Sequence, residues 1–252
     1  ANYFDQINLK GLFVLAGHVK DALLGGLSGL DARFAAVPIG VVKPYFWRQP
    51  HQVYAGDQKV SRNSLVIPGG VNYRNRDLLK LLDIVEGNSL ISENLHFVVA
   101  GGGVDRPDFE KRVADRKLLG CFEFLPVSEM SGLVLYSDYY RALDGSSFCL
   151  PLSLNKEYST SKITSALPTS IGFGLPALIP IDQAKIYQVP AISYEGTLEQ
   201  GLLSLIDFSS SEFKQVRFNL LSCLLASFCA NATSVAETIS KCVVSDLFAR
   251  HD

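Results

Sequence analysis

Hydroxyl and cationic side chains are concentrated in one short stretch of the sequence. Residues 158–162 read YSTSK, and Glu157 stands directly before them. We expect a helix to begin near Ser161, because a run of small and apolar residues follows. A helix N-terminus offers unsatisfied N–H groups and the positive end of its dipole, which favours an anion. The stretch therefore predicts a diphosphate site, the alternative being a Ser/Thr cap with an exposed lysine. Its candidate residues are Tyr158, Ser159, Thr160, Ser161 and Lys162.

A second group of candidates lies in the loop PGGVNYRNR, which ends at Arg76 and follows the apolar run SLVIP. Glycine lets a main chain approach a ligand closely, and arginine holds phosphate oxygens with paired donors. The candidates are Gly69, Gly70, Arg74 and Arg76. The alternative is a strand–helix turn with solvated arginines. Gly101, in the glycine run after LHFVVA, is a weaker candidate of the same kind.

No metal-binding pattern accompanies these loops in the sequence. Asp105 and Asp108 lie three positions apart, which is typical of a polar loop or a helix start. The five cysteines match no zinc spacing. We therefore expect neither a metal nor a cofactor.

Apolar runs of strand length alternate with segments of helical spacing, and this pattern supplies the scaffold for the loops. The sequence predicts an α/β fold with a Rossmann-like parallel sheet and helices on both faces. Ligands bind such sheets outside the carboxyl ends of the strands. The predicted strands are 11–16, 33–38, 64–68, 95–100, 121–125, 148–152, 177–180 and 191–194, and the main predicted helices begin at residues 18, 77, 107, 128, 161, 197 and 211.

Three segments follow from this pattern. Residues 1–62 form a strand–helix remnant and a connector, 63–208 form the Rossmann-like domain, and 209–252 form helices that pack on it. We expect Ser211 and Glu212 to cap the final helix. The first residue is Ala1 and the one methionine is Met130, so we expect the chain to be part of a longer polypeptide.

Composition excludes several classes of function. The 252 residues carry a formal net charge of −2, so a basic surface for nucleic acid is absent. No apolar run approaches the roughly 20 residues that span a bilayer, and we expect no transmembrane segment. An odd number of cysteines in apolar surroundings indicates reduced thiols, and hence a cytoplasmic protein.

The order of these motifs resembles the nucleotide-sugar-binding half of retaining glycosyltransferases with the GT-B fold, the group of glycogen and sucrose synthases. The similar segments are GLFVLAGHVKDALLGGL, SLVIPGGVNYRNRDLLKLL, LHFVVAGGG, FEFLPVSEMSGLVLYSDY and FCLPLSLNKEYSTSKITSALPTSIGFGLPALIP. By this resemblance Arg76 stands where the family has a diphosphate-binding lysine, and Val71 where it has an arginine. The family's two glutamates fall near Ser161 and at Thr169, and the base would lie near Leu125–Val127.

The resemblance implies transfer of a sugar from a nucleoside diphosphate sugar, with UDP favoured, to a carbohydrate or other hydroxyl acceptor without a metal. Glu157, Lys162 and Arg76 are the predicted catalytic residues. Two alternatives remain. One is a non-catalytic nucleotide-binding or partner-docking domain of a larger protein, and the other is a sugar-nucleotide epimerase, which would need carboxylates and histidines clustered at the site.

Overall fold

The computed structural model describes residues 12–27, 37–43, 63–153 and 157–248. The chain divides into two units. The first contains Ala1–Pro44, Glu157–Ile163 and Leu225–Asp252, and the second contains Tyr45–Lys156 and Thr164–Leu224. This grouping does not follow the segments 1–62, 63–208 and 209–252, and those domain boundaries stay a prediction.

The described strands and helices are numbered in chain order. They are β1 (Leu12–Val14), α1 (Gly17–Leu27), β2 (Ile39–Val41), β3 (Ser64–Pro68), α2 (Leu78–Gly87), α3 (Ser89–Asn94), β4 (His96–Ala100), α4 (Arg106–Asp115), β5 (Phe122–Phe124), α5 (Tyr136–Gly145), β6 (Phe148–Cys149), α6 (Glu157–Thr160), α7 (Ala166–Gly172), β7 (Leu178–Pro180), α8 (Ile181–Tyr187), β8 (Ile192–Tyr194), α9 (Leu198–Ile206) and α10 (Ser210–Phe248).

The second unit contains a parallel sheet. Its described strands pair in the order β5-β4-β3-β6, and β7 pairs with β8. A parallel bridge between Cys149 and Ala177 joins β6 to β7, which extends the order to β5-β4-β3-β6-β7-β8. This is the order of a doubly wound nucleotide-binding sheet, in which succession reverses between the first and fourth strands. The predicted fold class is confirmed.

The core of the second unit lies mainly on one face of this sheet. All five residues of β3 are buried, as expected for a strand covered on both faces. Leu65 and Ile67 point to the side where α2, α4 and α9 pack, and these helices contribute Leu82, Phe109 and Leu202 to the same apolar cluster. Helix α5 lies against β3 and β4. Its buried Leu143 is outside that cluster, which is consistent with packing on the other face.

The first unit contains the parallel pair β1–β2, joined through α1. The C-terminal part of α10 holds this pair by hydrogen bonds. Val41 N donates to Ser234 Oγ at 3.1 Å, and Lys43 N donates to Asn231 Oδ1 at 2.8 Å. Helix α1 begins at Gly17, one residue before the predicted start, and continues through Gly25 and Gly26 to Leu27. Most of the predicted strand 33–38 and of the connector 42–62 lies outside the described residues.

Helix α10 corrects the expectation that no stretch is long and apolar enough to span a membrane. Within the described residues, Ser210–Lys241 meets that criterion by length and composition, with a mean hydropathy of 1.4 in its most apolar window. Only 17% of that window is buried. The core helix of a soluble protein and a signal sequence also meet this criterion. The N-terminal cap of α10 is Ser209 and not Ser211 as the sequence predicted. Glu212 takes part in the cap as predicted: its N donates to Ser209 Oγ, and its carboxylate accepts from that hydroxyl.

The predicted helix 128–137 is wrong. Residues 126–135 form a loop in which Val127 and Val134 make an antiparallel bridge, and the helix begins only at Tyr136. Gly132 lies at a φ of +64°, a left-handed conformation that a continuing helix does not contain. The glycine turn, and not the periodicity of the apolar residues, therefore determines the conformation of residues 126–135.

Candidate functional site

Strand succession reverses between β3 and β6, which are parallel neighbours. In α/β sheets such a switch point leaves a crevice outside the carboxyl ends of the two strands, where ligands bind. The loop after β3 contains the predicted arginines, and the loop after β6 begins at Leu150. The arginine-containing loop after β3, which the sequence singled out, thus lies where the fold expects a ligand.

Arg76 connects the two loops of the switch point. Its Nε donates to the Gly70 carbonyl at 3.0 Å, and its Nη1 donates to the Pro151 carbonyl. Next to it, Asp77 N donates to the Leu152 carbonyl at 3.0 Å. These contacts give Arg76 a positioning role. Its predicted role as diphosphate ligand and catalytic residue stays a prediction.

Arg74 lies two residues earlier and is exposed. Its main-chain N donates to Asn72 Oδ1 at 2.9 Å, which fixes the turn locally. Within the described part of the chain its guanidinium makes no hydrogen bond or ion pair. Gly69, at a φ of +84°, and exposed Gly70 begin the same loop. Arg74 is therefore better placed than Arg76 to bind an anion at this loop.

Glycines allow the loops after β3 and β4 to touch. A Cβ on Gly101 would overlap the Gly69 carbonyl oxygen and lie 2.6 Å from its carbon. A Cβ on Gly102 would overlap the Gly132 carbonyl in the loop after β5. Val71 N also donates to the Gly102 carbonyl at 2.7 Å. The glycine run thus packs main chain against main chain, and the predicted ligand contact at Gly101 stays a prediction.

Arg106 is a buried residue that the sequence analysis missed. It is 7% exposed, and it donates to the Gly101 carbonyl at 2.9 Å and to the Leu125 carbonyl at 2.6 Å. Its third contact is Glu110 Oε1 at 2.6 Å. Arg106 therefore fixes the loops after β4 and β5 as Arg76 fixes those after β3 and β6. Its position at the start of a polar helix gave no signal of burial.

The predicted base-binding segment differs at its two ends. Leu125 is buried, and its N donates to the Val99 carbonyl at 3.2 Å, so it continues the sheet. Val127 is 37% exposed and begins the bridged loop. Its neighbours Met130 and Leu133 are also exposed. An apolar ligand surface is available at Val127, while Leu125 serves the core.

The hydroxyl stretch belongs to the first unit, and its local structure differs from the prediction. The short helix α6 ends at Thr160, and no helix begins at Ser161. Lys162 follows this helix, pairs with Glu157, and its carbonyl lies 2.8 Å from His18 Nε2. A four-residue helix has no N-terminal anion site of the predicted kind. Thr160 and Ser161 are exposed and Tyr158 is half-buried, while the Ser159 side chain lies outside the described ones.

A polar cluster lies beneath the switch point. Burial raises the pKa of the Tyr139 hydroxyl to about 12, and Thr169 hydrogen-bonds to it. Burial likewise raises the pKa of the Cys149 thiol to about 12, against the opposing effects of Arg76 and Ser170. Both groups therefore stay protonated at neutral pH, and the Cys149 side chain is a thiol there and not a thiolate.

The described residues of the second unit line cavities, of which two bear on the site. One of about 450 Å³ is lined by His96, Glu123, Asp138 and Arg141 between α5 and the sheet. The other, of about 220 Å³, lies at the carboxyl ends of β6, β7 and β8. In the described residues, no group of three or more His, Cys, Asp and Glu side chains is placed to hold a metal.

Three solved structures share this fold with a TM-score of 0.56. They are the catalytic domain of starch synthase IV from Arabidopsis thaliana bound to ADP and acarbose, a variant of TarM from S. aureus in complex with UDP, and a GtfA/B complex. The fold is that of a GT-B glycosyltransferase half. Sequence identities are 11%, 13% and 11%, and the matches cover 92%, 87% and 92% of this chain.

The likeness to the GT-B fold concerns architecture. The chain spans about half the length of the matched structures, at 55%, 43% and 45% of their chains. No protein-family model and no curated protein matches the sequence. The predicted resemblance is confirmed at the level of the fold, and the activity requires its own argument.

Proposed function

We propose that this chain transfers a sugar from a nucleoside diphosphate sugar to a hydroxyl acceptor. The observation that carries the proposal is the loop after β3, which places exposed Arg74 and the glycine turn at the switch point of a GT-B sheet. The matched starch synthase and TarM structures contain ADP and UDP, which supports a nucleotide at this fold.

The main barrier to such a transfer is departure of the diphosphate as the sugar carbon becomes positively charged. Fixed positive charge beside the leaving group lowers that barrier without rearrangement during the reaction. In our proposal Arg74 supplies this charge, and Arg76 positions the loop. UDP as donor, a carbohydrate acceptor and independence of a metal belong to the same proposal, as does a cytoplasmic location.

Lys162 and Glu157 stay proposed catalytic residues of the first unit. Their side chains are 59% and 50% exposed. Ion pairs at such exposure contribute little, so Lys162 can exchange the Glu157 carboxylate for a phosphate at small cost. In this proposal the Glu157 carboxylate accepts a proton from an acceptor hydroxyl.

A second candidate function is a non-catalytic nucleotide-binding or partner-docking domain. Val71 and Thr169 stand where the resemblance places an arginine and a glutamate, and they are only 1% and 4% exposed. Both positions are committed to the interior. This burial removes two contacts on which a family-like transfer would depend.

Calorimetric titration with UDP, ADP and GDP tests the proposal. We expect one nucleotide to bind, and Arg74→Ala to weaken binding about tenfold, or about 1.4 kcal/mol, without lowering the melting temperature. Arg76→Ala should lower the melting temperature, because two carbonyls lose their donor. Arg112→Ala, at an exposed arginine of α4 paired with Asp108, is the matched control.

The outcomes separate the two candidate functions. Binding together with transfer or hydrolysis of the matching nucleotide sugar, lost in Lys162→Ala and Glu157→Gln, supports the enzyme. Binding without turnover of any donor supports the non-catalytic domain. Equal binding by wild type and Arg74→Ala would refute the assignment of Arg74. Absence of binding to any nucleotide would refute both the enzyme and a nucleotide-binding domain, and would leave partner docking as the remaining candidate.

A further inference from the structure

A small pocket at the carboxyl ends of β6, β7 and β8 is the basis of a further inference. Its volume is about 220 Å³, and all its lining residues belong to the second unit. Pockets that hold drug-sized ligands measure roughly 300–1,000 Å³, so this smaller pocket suits one ring and not a nucleotide. None of its lining residues was singled out by the sequence analysis.

Polar and apolar side chains line this pocket together. Asp77 directly precedes α2, Lys80 lies in its first turn and Tyr194 ends β8, while Leu150 and Leu178 supply apolar surface. Such a pairing of hydrogen-bonding groups with an apolar surface suits a sugar ring, which has hydroxyls at its edge and C–H groups on its face. The carboxylate accepts from hydroxyls, and the ammonium and phenol donate to them.

Asp77 and Tyr194 have unused hydrogen-bonding capacity. Asp77 precedes α2 without a side-chain cap hydrogen bond, and no described residue bonds to its carboxylate. Burial, and secondarily the Asp77 charge, raises the pKa of the Tyr194 hydroxyl, which therefore remains a donor. Half-buried polar groups require a partner, from water or from a ligand.

The charges in the pocket favour a neutral ligand. Asp77 and Lys80 carry opposite charges, so together they give the pocket no net charge. Gln183, whose Nε2 lies 3.4 Å from the Ser153 carbonyl, adds an uncharged amide at the rim. An anionic ligand would be repelled by the Asp77 carboxylate, and Lys80 is the one cationic side chain in the described lining to offset that repulsion.

We propose that this pocket binds one neutral sugar residue. The inference rests in part on the proposed function. Ser153, which lines the pocket, forms an isolated antiparallel β-bridge with Arg76, so the pocket lies next to the loop that carries Arg74. The sugar belongs either to the acceptor or to the donor. Both sources present the same ring of hydroxyls.

Ligand-observed NMR titration with glucose, N-acetylglucosamine and maltose tests the pocket in the intact chain. We expect saturable binding in the millimolar range. Asp77→Asn and Tyr194→Phe should each raise the Kd about tenfold, since each removes or weakens one hydrogen bond to a hydroxyl. Tyr136→Phe, at a tyrosine that is 77% exposed and outside the pocket, should leave the Kd unchanged.

Melting temperatures check that the variants are folded, and Tyr194→Phe removes only the hydroxyl if Asp77→Asn proves unstable. Absence of saturable sugar binding, or equal Kd values for wild type and Tyr194→Phe, would overturn the inference. If the sugar inference fails in this way but a nucleotide binds, the proposed function still stands. If a sugar binds but no nucleotide does, the inference about the pocket stands and the proposed function is refuted.

A second titration identifies the source of the sugar. If the pocket holds the donor sugar, Tyr194→Phe weakens the binding of UDP-glucose and leaves the binding of UDP unchanged. If it holds an acceptor residue, Tyr194→Phe weakens the binding of maltose and leaves the binding of UDP-glucose and of UDP unchanged. Weaker binding of UDP itself would place the nucleotide in the pocket and contradict the assignment.

Discussion

Replacement of Gly101 by alanine is the sharpest test of how the loops at the carboxyl ends of β3 and β4 are joined. The new Cβ would overlap the Gly69 carbonyl oxygen and lie 3.2 Å from Gly70 N. The obstructing atoms are main chain, so no side chain can rotate away. Gly102, the next residue, accepts a hydrogen bond from Val71 N at 2.7 Å, and moving Gly101 disturbs this bond too.

Overpacking of this kind costs roughly 1–3 kcal/mol, and we expect about 3 kcal/mol because main-chain atoms must move. With a slope of roughly 2 kcal/mol per molar urea, the unfolding midpoint should fall by about 1.5 M. Nucleotide affinity should fall as well, because the loop that carries Arg74 begins at the displaced Gly69. The measurement is urea unfolding followed by tryptophan fluorescence or circular dichroism.

Gly120→Ala is the matched control. A Cβ at Gly120 would have no neighbour within 4 Å, and its φ is not positive. We expect this variant to change the free energy of unfolding by less than about 0.5 kcal/mol. If Gly101→Ala and Gly120→Ala unfold at the same urea concentration, the close contact of the two loops is not a feature of the folded protein, and the reasoning fails.

Two further predictions concern buried polar groups. Arg106→Met should lower the free energy of unfolding by about 3 kcal/mol, because the Gly101 and Leu125 carbonyls lose their donor, whereas Arg112→Met, at an exposed ion pair, should leave it nearly unchanged. Equal effects in urea unfolding would contradict the role of Arg106. Burial raises the pKa of Cys149 from 9.0 to about 12, so its stabilising contribution is present below pH 9 and is lost as the pH rises towards 12. Wild type should therefore lose more stability than Cys149→Ala between about pH 8 and about pH 10, and parallel pH profiles would show that Cys149 is not the titrating group.

The strands were the most predictable part of this protein. Ser64–Pro68 is an uninterrupted apolar run, and the structure gives β3 the same bounds. Such runs are buried on both faces in parallel sheets, so hydrophobicity alone locates them. The segment 128–137 was predictable only in part. Its apolar residues satisfy a helical spacing, but Gly132 turns the chain back, and a single residue outweighs the pattern.

The residue types and loops of the candidate site followed from sequence, while the roles within it did not. Arg74 and Arg76 stand in one loop and carry the same side chain, and the loop after β6 decides that Arg76 donates to main-chain carbonyls. The hydroxyl stretch fits a helix start by composition, yet α6 ends before Lys162. Neighbours from distant parts of the chain make these choices, and sequence spacing carries no information about them.

The sequence by itself determined the alternation of strands and helices, and with it the class of sheet and the end of the sheet at which folds of this class bind their ligands. Local hydrophobicity and glycine placement suffice for that, because they act over a few residues. Only the tertiary structure decided that Arg106 is buried beneath two loops and that Asp77, Lys80 and Tyr194 share a pocket. Those three residues meet because β6, β7 and β8 end at one edge of the sheet beside the start of α2. Strand order, a long-range property, fixes that meeting.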